Sequence, residues 1–99
     1  MGVKGFVKEK TKIKVKEPRQ YKVIMHNDDF TTMEFVVEIL VDVFHKNIEE
    51  ANQIMMFVHK NGSAVVGKYP LDIANTKVAI SLSRAQKEGF PFRMTVEED

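Results

Sequence analysis

The sequence predicts a small α+β domain whose elements follow the order β-α-α-β-α-β. Three observations support this prediction. Apolar and polar residues alternate as in strands, capping signals mark successive helix starts, and proline and glycine stand at the remaining boundaries. The chain has 99 residues, 43% of them hydrophobic. A chain of this length buries enough apolar surface for one core, so we expect one compact domain.

The first strand and the first helix are joined by an acidic turn. The alternation over Tyr21–His26 predicts a strand, and Asn27-Asp28-Asp29 ends it, because Asn and Asp side chains bond their own backbone and favour turns. Thr31 and Glu34 have the spacing of a capping box, which predicts a helix over about residues 32–46. Its apolar positions keep helical spacing: Met33, Val36, Val37, Leu40 and Phe44.

A second helix follows almost directly. Asn47 and Glu50 repeat the capping pattern, so this helix is predicted to begin at about Ile48, and Asn61-Gly62 supplies its C-terminal stop. Because so few residues separate the two helices, we expect them to form an antiparallel hairpin. The apolar stripe of the second helix consists of Ala51, Ile54, Met55 and Val58.

The remaining elements are a short strand, a long helix and a final strand. Residues Ala64–Tyr69 have the composition of a strand, and Pro70 suits the first turn of a third helix. That helix is predicted to run to about Glu88, where Gly89 ends it. The predicted final strand is Phe92–Val96.

The charge is divided unevenly along the chain. Residues 1–19 carry seven basic and two acidic side chains, a net charge of +5, whereas residues 20–99 carry eight basic and twelve acidic side chains, a net charge of −4. Glycines and Pro18 favour a flexible basic N-terminal extension over residues 1–19, although the alternation over Thr11–Lys16 also suits a short strand. The core domain is expected over residues 20–99.

Several function classes are disfavoured by the sequence. The extension has one arginine and one aromatic residue, Phe6, and it adjoins an acidic domain, so we expect no nucleic-acid partner. There is no phosphate loop, nucleophile elbow or metalloprotease motif, and we therefore expect no enzyme, no catalytic residue and no cofactor. No apolar run has the length of a bilayer span, no signal peptide opens the chain and no cysteine is present, which favours a cytoplasmic protein without a membrane partner.

The helix hairpin is expected to bring two distant segments together. At about 1.5 Å per residue the two helices measure about 22 Å and 20 Å, so the end of the second returns beside the start of the first. This places His59 next to Asn27-Asp28-Asp29. Hydrogen-bond acceptors placed over apolar side chains suit a cation that carries a hydrophobic group. Such a ligand is either a peptide N-terminus with a large first side chain or a small hydrophobic amine. The apolar side chains beneath the acceptors are Met33, Val36, Met55 and Val58.

The same residues also have simpler interpretations. The two aspartates could compensate the helix dipole, Asn27 could cap a turn, His59 suits a helix C-terminus, and the apolar residues could be ordinary core. A divalent cation held by His26, His59, Asp28 and Asp29 is a sharper alternative. The EF-hand pattern fails at its glycine position, however, and we expect no metal site. A plain interaction module without a pocket is the remaining alternative.

Taken in order and spacing, these segments resemble a known family. The matching residues are Tyr21–Ile24, Asn27–Val36, Ala51, Met55, Val58-His59, Gly62, Ala74–Ala79 and Pro91-Phe92. Together they span about residues 20–97 and are similar to the ClpS family, adaptors that deliver N-degron substrates to Clp proteases. The resemblance implies a small three-stranded antiparallel sheet packed against three helices.

The resemblance also implies a substrate and a role for each site residue. It implies recognition of N-terminal Leu, Phe, Tyr or Trp. Asn27 and His59 would bond the substrate α-ammonium with help from Asp29, and Asp28 would add negative charge and hold the peptide backbone. Met33 would be a gate whose bulk disfavours Val and Ile. The hydrophobic pocket would be lined by Thr31, Met33, Val36, Met55, Val58 and Phe92, the last of which stands where the family often has Leu.

The partner implied by the resemblance is a Clp AAA+ ATPase of the ClpA or ClpC type. Asp72 and Lys77 would contact the N-terminal domain of that ATPase, and the mobile N-terminal extension would engage the ATPase during substrate hand-over. The adaptor itself is expected to be a monomer.

Overall fold

The computed structural model describes residues 17–99. Both interpretations of the N-terminal extension, a flexible segment or a short strand, concern residues that lie mostly outside this range. The six elements appear in the predicted order, with these bounds: β1 (Gln20–His26), α1 (Met33–Asp42), α2 (Ile48–Asn61), β2 (Ser63–Pro70), α3 (Leu71–Lys87) and β3 (Arg93–Glu98).

The three strands form one antiparallel sheet in the order β2-β1-β3, which confirms the predicted fold class. Strand β1 is central, so that Met25 stands opposite Ala64 on β2 and Met94 on β3. The pairing with β2 shifts register between Val23 and Ile24, which leaves Val66 as the extra residue of a bulge. Both edges of the sheet therefore belong to elements that follow the helix hairpin.

The core lies between one face of the sheet and the three helices. Val23 and Met25 on β1 are fully buried, whereas the alternate residues of that strand are half-exposed. This alternation is the expected pattern for a sheet that is covered by helices on one face. The other buried hydrophobic residues are Phe35, Ile39, Leu40, Val43, Phe44, Ala51, Val58, Val66, Ala74, Ala85, Phe92 and Met94.

Helix α1 is shorter than the sequence predicts, and its cap is a different residue. The N-cap is Thr32 rather than Thr31. The Thr32 hydroxyl oxygen accepts a hydrogen bond from the Phe35 backbone amide at 3.1 Å. The helix ends at Asp42 instead of near residue 46. His45 adopts a left-handed conformation (φ 57°), and the Lys46 amide donates to the Leu40 carbonyl at 3.0 Å. The sequence offers no glycine or asparagine at that position to announce the stop.

Helix α2 begins and ends as predicted. Asn47 and Glu50 form a complete capping box, in which each side chain accepts from the other residue's backbone amide. Gly62 terminates the helix in the left-handed region (φ 93°), a conformation that glycine adopts without steric penalty. Its amide donates to the Val58 carbonyl at 2.8 Å. Within residues 17–99, no helix is long and apolar enough to cross a bilayer.

Candidate functional site

A pocket opens where β1 ends beside the C-terminus of α2. The Asn27 amide donates to the Gly62 carbonyl at 2.8 Å and thereby ties the two elements together. The hairpin of α1 and α2 brings the first turn of α1 to the same place. The cavity has a volume of about 220 Å³. Its lining comprises His26, Asn27, Asp28, Asp29, Thr31, Met33, Val36, Met55, Val58, His59 and Phe92.

The structure thus brings together all ten residues that the sequence proposed for ammonium and side-chain recognition. Asn27, Asp29 and His59 are exposed at the surface of the domain, whereas Val58 and Phe92 are buried. Polar acceptors therefore stand toward solvent, and apolar side chains lie deeper. This arrangement favours a ligand whose polar end faces outward.

Asp28 is the residue that shapes the loop between β1 and α1. Its Oδ1 accepts the backbone amides of Phe30 at 2.8 Å and Thr31 at 2.7 Å, and its Oδ2 accepts the Thr31 hydroxyl at 2.7 Å. Burial works to raise the pKa of Asp28, but these hydrogen bonds outweigh it and hold the pKa below its ordinary value. The carboxylate is thus ionised and largely engaged within the loop, which restricts a direct contact with a ligand to the free lone pair of Oδ2.

The acceptors Asn27, Asp29 and His59 come from two elements. Asn27 and Asp29 follow β1, and His59 lies in the last turn of α2. Because the loop is fixed by Asp28 and tied to Gly62, these side chains are held on one rim of the pocket. An amide oxygen, a carboxylate and a neutral imidazole all accept hydrogen bonds, so the rim is suited to an ammonium group with several donors.

Three aromatic rings that pack edge to face support the base of the pocket. Phe92 precedes β3 and is 7% exposed. Its ring packs edge to face against Phe35 of α1, with centroids 5.6 Å apart, and Phe35 packs in the same manner against Phe90 at 5.1 Å. Thr31 also lines the pocket, but its hydroxyl proton is already donated to Asp28. The interior of the pocket is consequently apolar.

His26 is a pocket residue that the sequence analysis did not assign to ligand recognition. It ends β1, and its Nε2 lies 2.8 Å from the Thr95 hydroxyl on β3. Burial and then the Arg93 charge lower the pKa of His26 below its ordinary value, against a smaller opposing effect of Glu97. The sequence signal for this residue was its place directly before Asn27, since the last residue of a strand shares the edge from which the next loop begins.

Asp72 and Lys77, the residues proposed for the ATPase contact, lie elsewhere, on α3. Both line a second cavity of about 370 Å³. The Lys77 amine donates to the Val43 carbonyl at 2.7 Å and lies over the rings of Phe44 and Tyr69, 5.7 and 5.3 Å from their centroids. Lys77 therefore has a structural role in binding the C-terminal end of α1 to α3.

The pocket holds no arrangement typical of metal binding. Across residues 17–99, no group of three or more His, Asp or Glu side chains is placed to hold a metal ion. His26 is bonded to Thr95 and Asp28 to its own loop, so the four residues considered as metal ligands serve other contacts or face solvent. An apolar cavity with acceptors on its rim instead defines a small binding domain.

Comparison with known proteins agrees with this class. The family model described as "ATP-dependent Clp protease adaptor protein ClpS" matches residues 16–95. The chain belongs to the ClpS family of Clp protease adaptors. Among curated relatives, the ATP-dependent Clp protease adapter protein ClpS of Nitratidesulfovibrio vulgaris strain Miyazaki F is 51% identical over 84 residues, covering 85% of this chain and 84% of that protein. The protein of the same name from Acetivibrio thermocellus is 46% identical over 99 residues, the full length of both chains.

A solved structure supports the same assignment. Agrobacterium tumefaciens ClpS2 bound to L-phenylalaninamide matches with a TM-score of 0.80 and 38% identity, covering 84% of this chain and all of that chain. The ligand of that protein is an aromatic amino-acid amide. The sequence-based assignment to the ClpS family is therefore confirmed.

Proposed function

We propose that this Clp protease adaptor binds polypeptides through a free N-terminus whose first residue is Leu, Phe, Tyr or Trp, and presents them to a Clp AAA+ ATPase for degradation. The observation that carries the proposal is a pocket with acceptors on its rim and an apolar base. The phenylalaninamide bound to the Agrobacterium relative supports it, because that ligand combines an amine with an aromatic side chain.

In this proposal the rim binds the α-ammonium. Asn27 and His59 each accept one hydrogen bond from the ammonium. Asp29 supplies negative charge, either in direct contact or through water. Each hydrogen bond to a charged group contributes about 1.5–3 kcal/mol, and burial of a Leu or Phe side chain contributes about 1.5–3 kcal/mol. Three such bonds and one side chain give roughly 6–12 kcal/mol before the cost of ordering the peptide, so we expect micromolar affinity, about −8 kcal/mol.

The proposal is tested by fluorescence anisotropy with labelled peptides that differ at their first position. Peptides beginning with Leu or Phe should bind, and the same Leu peptide with an acetylated N-terminus should not, because acetylation removes the charge and two donors. A peptide beginning with Val is the matched control for side-chain shape. Equal affinity for the free and acetylated Leu peptides would contradict the proposal and favour an interaction module that reads no N-terminus.

Delivery requires a second surface, which we place on α3. Asp72, Ile73 and Ile80 are exposed beside the second cavity, and this combination of charge and apolar area suits a protein contact. Asp72→Lys should weaken capture of the ATPase N-terminal domain of the ClpA or ClpC type without changing peptide affinity. Glu97→Lys, on β3, is the matched control for charge. Lys77→Ala is a poorer probe, since it also removes the bond to Val43.

The N-terminal extension is proposed to act in hand-over rather than in binding. Deletion of residues 1–16 should abolish ATPase-dependent degradation of a Leu-initiated reporter and leave peptide affinity unchanged. Replacement of the lysines in that segment by glutamine should preserve degradation, because the proposed role depends on length rather than charge. The remaining domain is proposed to work as a monomer, which size-exclusion chromatography with light scattering checks.

A further inference from the structure

The recognition pocket must accept first residues of very different size. If the proposed function holds, the same cavity of about 220 Å³ takes both Leu and Trp. Protein interiors are close-packed, and forcing extra atoms into a fixed cavity is destabilising. A pocket that packs closely around both Leu and Trp therefore needs part of its wall to move between the two complexes.

Several residues of the wall are restrained by packing or hydrogen bonds. Phe92 is 7% exposed and locked edge to face against the buried Phe35. Val58 is 4% exposed and, like Val36, has a β-branched side chain with one strongly preferred rotamer in a helix. On the loop side, Thr31 is bonded to Asp28 through its amide and its hydroxyl.

Met33 and Met55 are the exceptions. Met33 lies in the first turn of α1 and is 46% exposed, and Met55 on α2 is half-buried. Methionine is unbranched, has three rotatable side-chain bonds and adapts to irregular spaces. We call this pair the methionine wall.

A second, open space lies directly behind the methionine wall. It is a groove of about 310 Å³ along the seam between α1 and α2, and it shares Met33 and Met55 with the recognition pocket. Its other lining residues include Val37 on α1 and Ile48 and Asn52 on α2, none of which lines the recognition pocket. A methionine that turns away from the pocket therefore enters this groove and keeps an apolar surface to contact.

We propose that the α1–α2 groove receives the Met33 and Met55 side chains when a large first residue occupies the pocket. Val37, Ile48 and Asn52 then determine how large a first residue the adaptor accepts, although they do not touch the substrate. This proposal rests on the proposed function and specifies the substrate range of that same pocket.

The test fills the groove from its outer side. Asn52 is exposed, and Asn52→Phe adds an aromatic ring in the path of the withdrawing methionines. We expect this variant to weaken binding of a Trp-initiated peptide about tenfold and binding of a Leu-initiated peptide less than about twofold. Val37→Phe, on the opposite side of the groove, should act in the same direction.

Gln53→Phe is the matched control. Gln53 is exposed on α2 next to Asn52, but it lines a different depression, between α2 and β2. This control should leave the ratio of Trp to Leu affinity unchanged. A second readout is the methyl resonance of Met33 and Met55 in the unaltered protein, which should shift more with the Trp peptide than with the Leu peptide.

Three results separate the possibilities. If Asn52→Phe and Gln53→Phe give the same Trp to Leu ratio, the groove has no influence and the proposal is wrong. Equal weakening of both peptides by Asn52→Phe also contradicts it, since it would indicate general distortion of the pocket. If the unaltered protein binds neither peptide, the proposed function itself fails, which is a distinguishable outcome.

Discussion

The backbone amide of Asn27 donates a 2.8 Å hydrogen bond to the carbonyl of Gly62. These two residues are separated by the whole helix hairpin, yet the bond fixes the end of β1 to the end of α2. Because His59 precedes Gly62 by less than one helical turn, the same bond sets the spacing between His59 and the Asn27 side chain. The rim of the pocket is thus positioned by this backbone bond together with the hydrogen bonds of the Asp28 carboxylate within the loop.

The two neighbouring aspartates are expected to have separable roles. Asp28→Asn removes an acceptor of the Thr31 hydroxyl, and it removes the negative charge that strengthens the hydrogen bonds from the Phe30 and Thr31 amides. The free energy of unfolding should therefore fall by about 1–2 kcal/mol. Asp29→Asn should leave stability unchanged and weaken binding of a Leu-initiated peptide. Urea denaturation and fluorescence anisotropy measure the two effects, and a stability loss of equal size in both variants would contradict the assignment.

Peptide binding should depend on the acceptor that His59 supplies. His59 lies in the last turn of α2 on the rim of the pocket, where the proposed complex has it accept a hydrogen bond from the ammonium. His59→Ala should weaken binding of a Leu-initiated peptide about tenfold or more, whereas His59→Gln, which retains an acceptor, should keep part of the affinity. His45→Asn, at an exposed histidine that does not line the pocket, should leave the affinity unchanged. Anisotropy that shows equal affinity for His59→Ala and the unaltered protein would rule out this role.

The free energy of unfolding should decrease as the pH is lowered, first because of His26 and at lower pH because of Asp28. The pKa of His26 is lowered in the folded state, so as the pH falls the unfolded chain binds a proton at this histidine before the folded protein does. The free energy of unfolding is therefore highest above about pH 6.5 and decreases as the pH falls below that value. The lowered pKa of Asp28 acts the same way in a second window, where stability is lost as the pH falls below about 3.8. Melting temperatures should fall less between pH 7 and 5 in His26→Gln than in the parent. Parallel curves would contradict this prediction.

Met33→Ala should admit peptides that begin with Val or Ile. Removal of the thioether side chain opens the mouth of the pocket where β-branched residues are expected to clash. Met56→Ala is the control, because Met56 is exposed on α2 and is not among the pocket residues. Anisotropy with Val-, Ile- and Leu-initiated peptides checks this prediction, and rejection of Val and Ile by the Met33 variant would show that Met33 is not the gate.

Phe92→Leu should shift preference toward the largest first residues. The substitution shortens the side chain at the pocket base, and we expect the ratio of Trp to Leu affinity to rise about fivefold. Phe90→Leu is the matched control, since Phe90 also packs edge to face on Phe35 but does not line the pocket. A similar ratio in both variants would show that the effect comes from altered packing around Phe35 and not from the depth of the pocket.

The sequence predicts features that depend on neighbouring residues, such as helix caps, better than contacts between residues far apart in the chain. Helix α2 is predictable because its capping box and terminal glycine act within a few residues. The predicted N-cap of α1, Thr31, is wrong because the Thr31 hydroxyl is hydrogen-bonded to Asp28, and Thr32 caps the helix instead. The bond from Lys77 to Val43 joins residues 34 positions apart, and no periodicity in the sequence announces such a contact.

The candidate site follows the same division. The meeting of His59 with the acidic turn is predictable, since two helices of matched length in a hairpin must return to their starting point. The hydrogen bond of His26 to Thr95 is not predictable, because it depends on the antiparallel pairing of β1 with β3. The groove behind the methionine wall is likewise a property of packing between side chains, which the spacing of apolar residues does not resolve.

The central position of β1 has a consequence for how the protein folds. Tyr21 pairs with Glu98, 77 positions later, so the sheet closes a long loop before its contacts can stabilise it. The hairpin of α1 and α2, by contrast, closes locally and forms without that entropic barrier. The acceptor rim thus depends on contacts within residues 27–62, whereas Phe92 is held at the base of the pocket beside a strand that pairs across nearly the whole described domain. Loss of the pairing between β3 and β1 would withdraw Phe92 from the base and leave the hairpin that carries the rim.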